Sequence, residues 1–78
     1  MIAYKDRPTL RQVIEMVPTA TTIVGKGDEP TDVSAFLSSE DDFDLSVLNS
    51  KVMWTDSYDG YHVIDVEGMR HSLVLTYT

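Results

Sequence analysis

Cysteine is absent from this 78-residue chain. That excludes disulfide bracing, thiolate metal sites, thiol nucleophiles and redox switching through thiols. Basic residues are scarce: six Lys and Arg stand against thirteen Asp and Glu, a net charge of −7. A nucleic-acid backbone is bound by Lys and Arg that displace counterions, and the sequence offers nowhere for them to cluster, so direct nucleic-acid binding is not expected. No apolar run approaches the ~18 residues that span a bilayer, and MIAYKDRP carries no apolar leader core. The expectation is a soluble cytoplasmic protein with no membrane partner. No repeat, low-complexity tract or linker divides the chain, so residues 1–78 read as a single domain.

What is present suffices for one modest core. Hydrophobic residues make up 42% of the chain, although a chain this short buries only roughly 60–65% of the surface its unfolded form exposes. Dimerisation is one way to complete such a fold. Residues 51–78, KVMWTDSYDGYHVIDVEGMRHSLVLTYT, dictate structure most clearly. Asp59-Gly60 lies between two runs rich in β-branched and aromatic residues, a strong hairpin signal, and Glu67-Gly68 supplies a second turn. The reading is a three-stranded antiparallel meander. Alternation puts Val52 and Trp54 on one face, sets Tyr61 and Val63 against His62, Ile64 and Val66, and sets Leu73, Leu75 and Tyr77 against Val74. Neither face is cleanly polar, which leaves Trp54, Tyr58, Tyr61 and Tyr77 as candidates for exposed aromatic surface.

Upstream, Thr9-x-x-Gln12 fits a capping box, followed by Leu10, Val13, Ile14 and Val17 at helical spacing. Pro18 ends this helix near Met16 or Val17. Thr21 to Val24 is β-branched and reads as a fourth strand, closed by a Gly25-Lys26-Gly27 turn that lacks the spacing of a phosphate loop. Ile2 and Tyr4 permit a brief edge strand. The fold expected is α+β: a four-stranded, mainly antiparallel sheet with one short N-terminal helix and one or two short helical segments packed on one face.

The electrostatic centre is residues 28–49, DEPTDVSAFLSSEDDFDLSVLN. It holds seven of the thirteen acids (Asp28, Glu29, Asp32, Glu40, Asp41, Asp42 and Asp44) and no base. Thr31 or Asp32 suits the cap of a helix carrying Val33, Phe36 and Leu37, and Asp44 the cap of a second turn carrying Leu45, Val47 and Leu48. Crowded carboxylates either solvate a loop or meet a positively charged partner.

Enzymatic signatures fail on inspection. The string from Asp56 to Glu67 fills the first and twelfth positions of a calcium loop, but Tyr58 occupies the third and the glycine falls one residue early. His62 and His71 on neighbouring strands would need carboxylates such as Asp65 to hold zinc. No serine lies in a nucleophile-elbow context. The expectation is a protein without catalytic residues, metal or cofactor.

The order of a capped helix TLRQVIEMVP, then TTIVGKG, an acidic middle and a closing KVMWTDSYDGYHVIDVE hairpin resembles the small acidic proteins encoded by phages and prophages. Understood members of that group include anti-CRISPR and other counter-defence inhibitors, several of which imitate nucleic acid in charge. The resemblance implies a stoichiometric inhibitor. The residues themselves supply Asp28, Glu29, Asp32, Glu40, Asp41, Asp42 and Asp44, with Trp54, Tyr58 and Tyr61, as the surface offered to a basic protein such as a nucleic-acid-binding effector. The alternative is an assembly protein, a homodimer paired through its sheet.

Overall fold

Thr9 starts the first helix as its neighbours dictate. In the computed structural model, which describes residues 4–25 and 29–78, the Thr9 hydroxyl accepts from the Gln12 N–H at 3.2 Å and the Gln12 side-chain carbonyl accepts from the Thr9 N–H at 2.8 Å. Both halves of the capping box are formed. Helix α1 spans Leu10–Glu15 and buries Leu10 and Ile14. Helix α2 (Val33–Leu37) buries Val33, and α3 (Asp42–Leu48) buries Val47 and Leu48. Helices of five to seven residues do not persist alone, so their apolar stripes hold only by packing on a sheet.

That sheet has five strands, one more than expected: β1 (Ala20–Gly25), β2 (Thr31–Asp32), β3 (Val52–Tyr58), β4 (Tyr61–Val66) and β5 (Leu73–Tyr77). The order is β2-β1-β5-β4-β3, and every pair is antiparallel. The added strand is β2, two residues paired with Thr22 and Ile23, too short to show alternation in sequence. The last strand in chain order, β5, is central and joins β1 to β4. Both turns of the meander place glycine where a side chain would be strained: Gly60 has φ +90° and Gly68 φ +87°. Asp59 keeps a negative φ, so only the second turn residue uses the left-handed region.

Register fixes the faces. Ile64 pairs with Leu73 and His62 with Leu75, and Ile23 pairs with Leu75. This side meets Leu10, Ile14, Val33, Val47 and Leu48 in one buried cluster. The opposite side carries Thr22, Val24, Tyr61, Val63, Asp65, Val74 and Thr76. A register shift between Val52 and Trp54 corrects the expected pattern of β3. Val52 faces the core opposite Val66, while Trp54 lies opposite Asp65 on the other side. The extra residue at Met53 is a β-bulge, which turns the rest of the strand over by one position.

Of the remaining sequence readings, Tyr4–Asp6 forms a 3-10 turn rather than part of an edge strand, with Ile2 outside the described residues. So is Lys26 of the glycine-flanked turn. The cap of α3 is Asp41 rather than Asp44: its carboxylate accepts from the Phe43 N–H at 2.9 Å and the Asp44 N–H at 3.2 Å. Asp32 holds the cap position of α2 without a side-chain hydrogen bond to it.

Candidate functional site: an uncovered sheet face and a half-covered groove

All three helices send their buried residues to one side of the sheet, so the other side has no second layer among the described residues. Along β3 this uncovered face presents Trp54, Asp56 and Tyr58 in succession, facing Asp65, Val63 and Tyr61 across the pair. Trp54 is 51% exposed, Tyr58 46% and Tyr61 38%. The Tyr58 and Tyr61 rings stack at 5.0 Å with 13° between planes, and the directly opposed register explains the contact. Asp56 sits between the aromatics of its own strand. One of its oxygens accepts from the Tyr58 hydroxyl at 2.9 Å and the other from the Ser57 N–H at 3.0 Å. The hydrogen bond and the negative charge of Asp56 together push the Tyr58 phenol above its ordinary pKa. Asp65 accepts from the Ser72 hydroxyl, and Asp32, paired with Thr22, lies at the far end of the same face. The strand residues that register assigns to this face include Asp32, Asp56 and Asp65 and no Lys or Arg.

The acidic middle does not join these aromatics. Glu40, Asp41 and Asp42 are exposed at the start of α3, on the helical side of the sheet. Asp41 is occupied as a cap, and Asp44 accepts from the Ser39 hydroxyl at 2.7 Å. Glu29 and Asp44 border a hollow of about 170 Å³ with Phe36 and Phe43, against β1 and β5. Asp28 lies outside the described residues. Thus Asp32, Trp54, Tyr58 and Tyr61 share one face, while Glu29 and Asp44 border the hollow against β1 and Glu40, Asp41 and Asp42 lie exposed at the start of α3. The strand order separates them, because Trp54 and Tyr58 are on β3, the edge strand at the opposite end of the sheet from β2 and β1.

The helical side is incompletely covered at its β3–β4 end, because α1 is too short to reach across it. There a groove of about 480 Å³ runs between Val13, Met16 and Val17 of the α1 region and Met53, Thr55, Ser57, His62 and Ile64 of the hairpin. Its neighbour, a hollow of about 570 Å³, shares Arg7, Pro8 and Met16 with it and adds Lys5, Lys51, Asp6 and Glu15. Contrary to the expectation that the bases have nowhere to cluster, half of the six Lys and Arg converge here, from positions 5, 7 and 51. Arg7 donates to the Met53 carbonyl at 2.8 Å, and Lys51 donates to the Arg7 carbonyl at 3.1 Å. These bonds fasten the segment before α1 to the start of β3.

The groove also holds the closest approach to catalytic chemistry. The Ser57 hydroxyl and His62 Nδ1 are 2.9 Å apart, and the His62 ring stacks on Tyr77 at 4.7 Å. Tyr77 is itself anchored, donating to the Tyr58 carbonyl at 2.8 Å. A serine nucleophile needs a base whose imidazolium is stabilised by a carboxylate, and the partner that orients His62 is an uncharged ring. The pair reads as a cross-strand hydrogen bond that fixes the hairpin. His71 lies exposed in the β4–β5 connection, and among the described residues no group of three His, Asp or Glu side chains is placed to hold a metal.

The free edge of the sheet at β3 is blunted. With a two-residue turn closing on Tyr58 and Tyr61, Thr55 and Ser57 aim their backbone groups outward. Asp56 takes the Ser57 N–H, Arg7 takes the Met53 carbonyl, and Pro8 accepts from the Val52 N–H at 2.8 Å. Such devices suppress pairing with another strand. No described helix is long and apolar enough to cross a membrane. Comparison with protein-family models, with curated proteins and with solved structures returns no match, which leaves function to be read from residues and geometry.

Proposed function

We propose that this protein is a binding module whose uncovered sheet face docks a basic surface of a partner protein, of the kind a nucleic-acid-binding protein exposes, and that it acts stoichiometrically as an inhibitor. The observation that carries this reading is the alternation Trp54, Asp56, Tyr58 along β3, backed by Tyr61 and Asp65 on β4. Residues two apart on a strand are about 6.8 Å apart, so a carboxylate lies between two aromatic rings. An Arg or Lys docking there gains both a ring face and an opposite charge. Cation–π contacts contribute about 0.5–2 kcal/mol each, and planar guanidinium groups suit such sites best. The net charge of −7, with the separate acidic surface around Asp41 and Asp42, speeds the encounter without fixing the pose.

An NMR titration with an Arg- and Lys-rich peptide tests the assignment. Amide shifts are expected on β3 and β4, at Trp54, Tyr58, Tyr61 and Val63, with binding weakened by salt and removed by Trp54→Ala with Asp65→Asn. Charge reversal of Asp41, Asp42 and Asp44 should slow association and leave the bound pattern unchanged. Shifts confined to residues 39–44, or binding indifferent to Trp54, would refute it. In the assembly-protein alternative two copies pair through this same face, since the β3 edge is blunted. Sedimentation then shows a dimer that persists at high salt and loosens on Tyr61→Ala.

A further inference from the structure

The groove between α1 and the β3–β4 hairpin lies on the opposite side of the sheet from the proposed docking face, and nothing in that reading uses it. Its apolar wall comes from the α1 region and the β3 bulge, where Val13 and Val17 are half-buried, Met53 is 39% exposed and Met16 75% exposed, while Thr55, Ser57 and His62 line the hairpin side. At one end, Arg7, Pro8 and Met16 belong also to the hollow that gathers Lys5 and Lys51. Three bases there face two acids, Asp6 and Glu15, in a chain whose thirteen acids outnumber its six bases by about two to one. Arg7 spends one guanidinium nitrogen on the Met53 carbonyl and Lys51 makes one bond to the Arg7 carbonyl. A guanidinium has five N–H donors and an ammonium three, so both retain donors for an incoming anion. A volume of about 480 Å³ falls within the range of small-molecule sites.

We propose that this groove binds a free alkyl carboxylate, a fatty acid of medium length, with its chain against Val13, Met16, Val17 and Met53 and its carboxylate at Arg7 and Lys51. The pairing of a dry trough with a cationic mouth selects an amphiphile with an anionic head. An uncharged lipid leaves the bases unused, and a polar anion leaves the apolar walls wet.

The test is a calorimetric titration with hexanoate, octanoate, decanoate and dodecanoate below their micelle concentrations. Affinity should rise about fourfold per added methylene and level off once the groove is full. The alcohol of equal length should bind about tenfold more weakly, for want of the charge-assisted bonds. Met16→Glu places a carboxylate at the junction of trough and mouth and should abolish binding; because Met16 is at the surface, the thermal melt should hold. Lys5→Ala should weaken the carboxylate and leave the alcohol unchanged. Equal binding of acid and alcohol, affinity indifferent to chain length, or association only with anionic phospholipid vesicles would each overturn the proposal.

Discussion

Val63 and Ile64 are neighbours on β4, and changing each to threonine asks which side of the sheet is the core. Ile64 is fully buried. Threonine there removes part of the side chain, at about 0.5–1.5 kcal/mol for each methyl-sized loss, and buries a hydroxyl, at about 1–3 kcal/mol when it finds no partner. The sum is about 3 kcal/mol. A chain of 78 residues has a total stability of about 4–12 kcal/mol, so a quarter or more of it disappears. Val63 lies on the uncovered face and is only half-buried. Threonine keeps its β-branched shape and presents its hydroxyl to water, so the loss should stay under about 1 kcal/mol. Urea unfolding followed by circular dichroism reads the difference: with a slope of about 1 kcal/mol per molar, Ile64→Thr should lower the midpoint by about 3 M and Val63→Thr by less than about 1 M. Equal losses would mean that both faces are covered, and the docking face would not exist.

Three other outcomes follow from particular contacts. Asp41→Ala removes the cap of α3 and should cost about 1 kcal/mol, whereas Asp42→Ala, one residue on, should stay within about 0.5 kcal/mol; thermal melts separate the two, and equal costs would deny Asp41 its capping role. Tyr58 should titrate above the ordinary phenol value of 10.0 in ultraviolet difference spectra, because Asp56 holds its proton, and Asp56→Asn should lower its titration toward that value. The sign is fixed: the raised value favours the neutral phenol in the folded state, so its contribution is complete below the unfolded pKa and is lost as pH rises through the folded one. Replacing Arg7 and Asp56 together by alanine uncovers the Met53 carbonyl and the Ser57 N–H, and sedimentation velocity should show stronger self-association than the parent chain; unchanged association would mean these contacts do not guard the edge.

Local chemistry was legible in the sequence wherever a short pattern has one solution. Thr9 and Gln12 announced a cap that forms with both bonds, and Asp59-Gly60 announced the hairpin. Where several residues satisfy the same rule, the pattern could not choose: Asp41 and Asp44 both suit a helix start, and only the chain's path out of α2 selects Asp41. The bulge at Met53 leaves no composition mark, yet it decides that Trp54 faces away from the core. Long-range assembly was least visible. Lys5 and Arg7 meet Lys51 because the segment before α1 hydrogen-bonds alongside the start of β3, and the acids part from the aromatics because β5 inserts between β1 and β4.

That central placement of β5 governs the order in which the molecule can come into being. The β1–β2 pair and the β3–β4 hairpin share no ladder of their own, and each reaches the other only through Leu73–Tyr77. A chain growing on the ribosome therefore makes β1, β2, β3 and β4 before it makes the strand that unites them. Until residues 73–77 emerge, β1 and β4 each present an unsatisfied edge, and long-range closure of this kind is slow. Assembly of the sheet is in effect a keystone problem, because the uniting strand follows all four strands it joins.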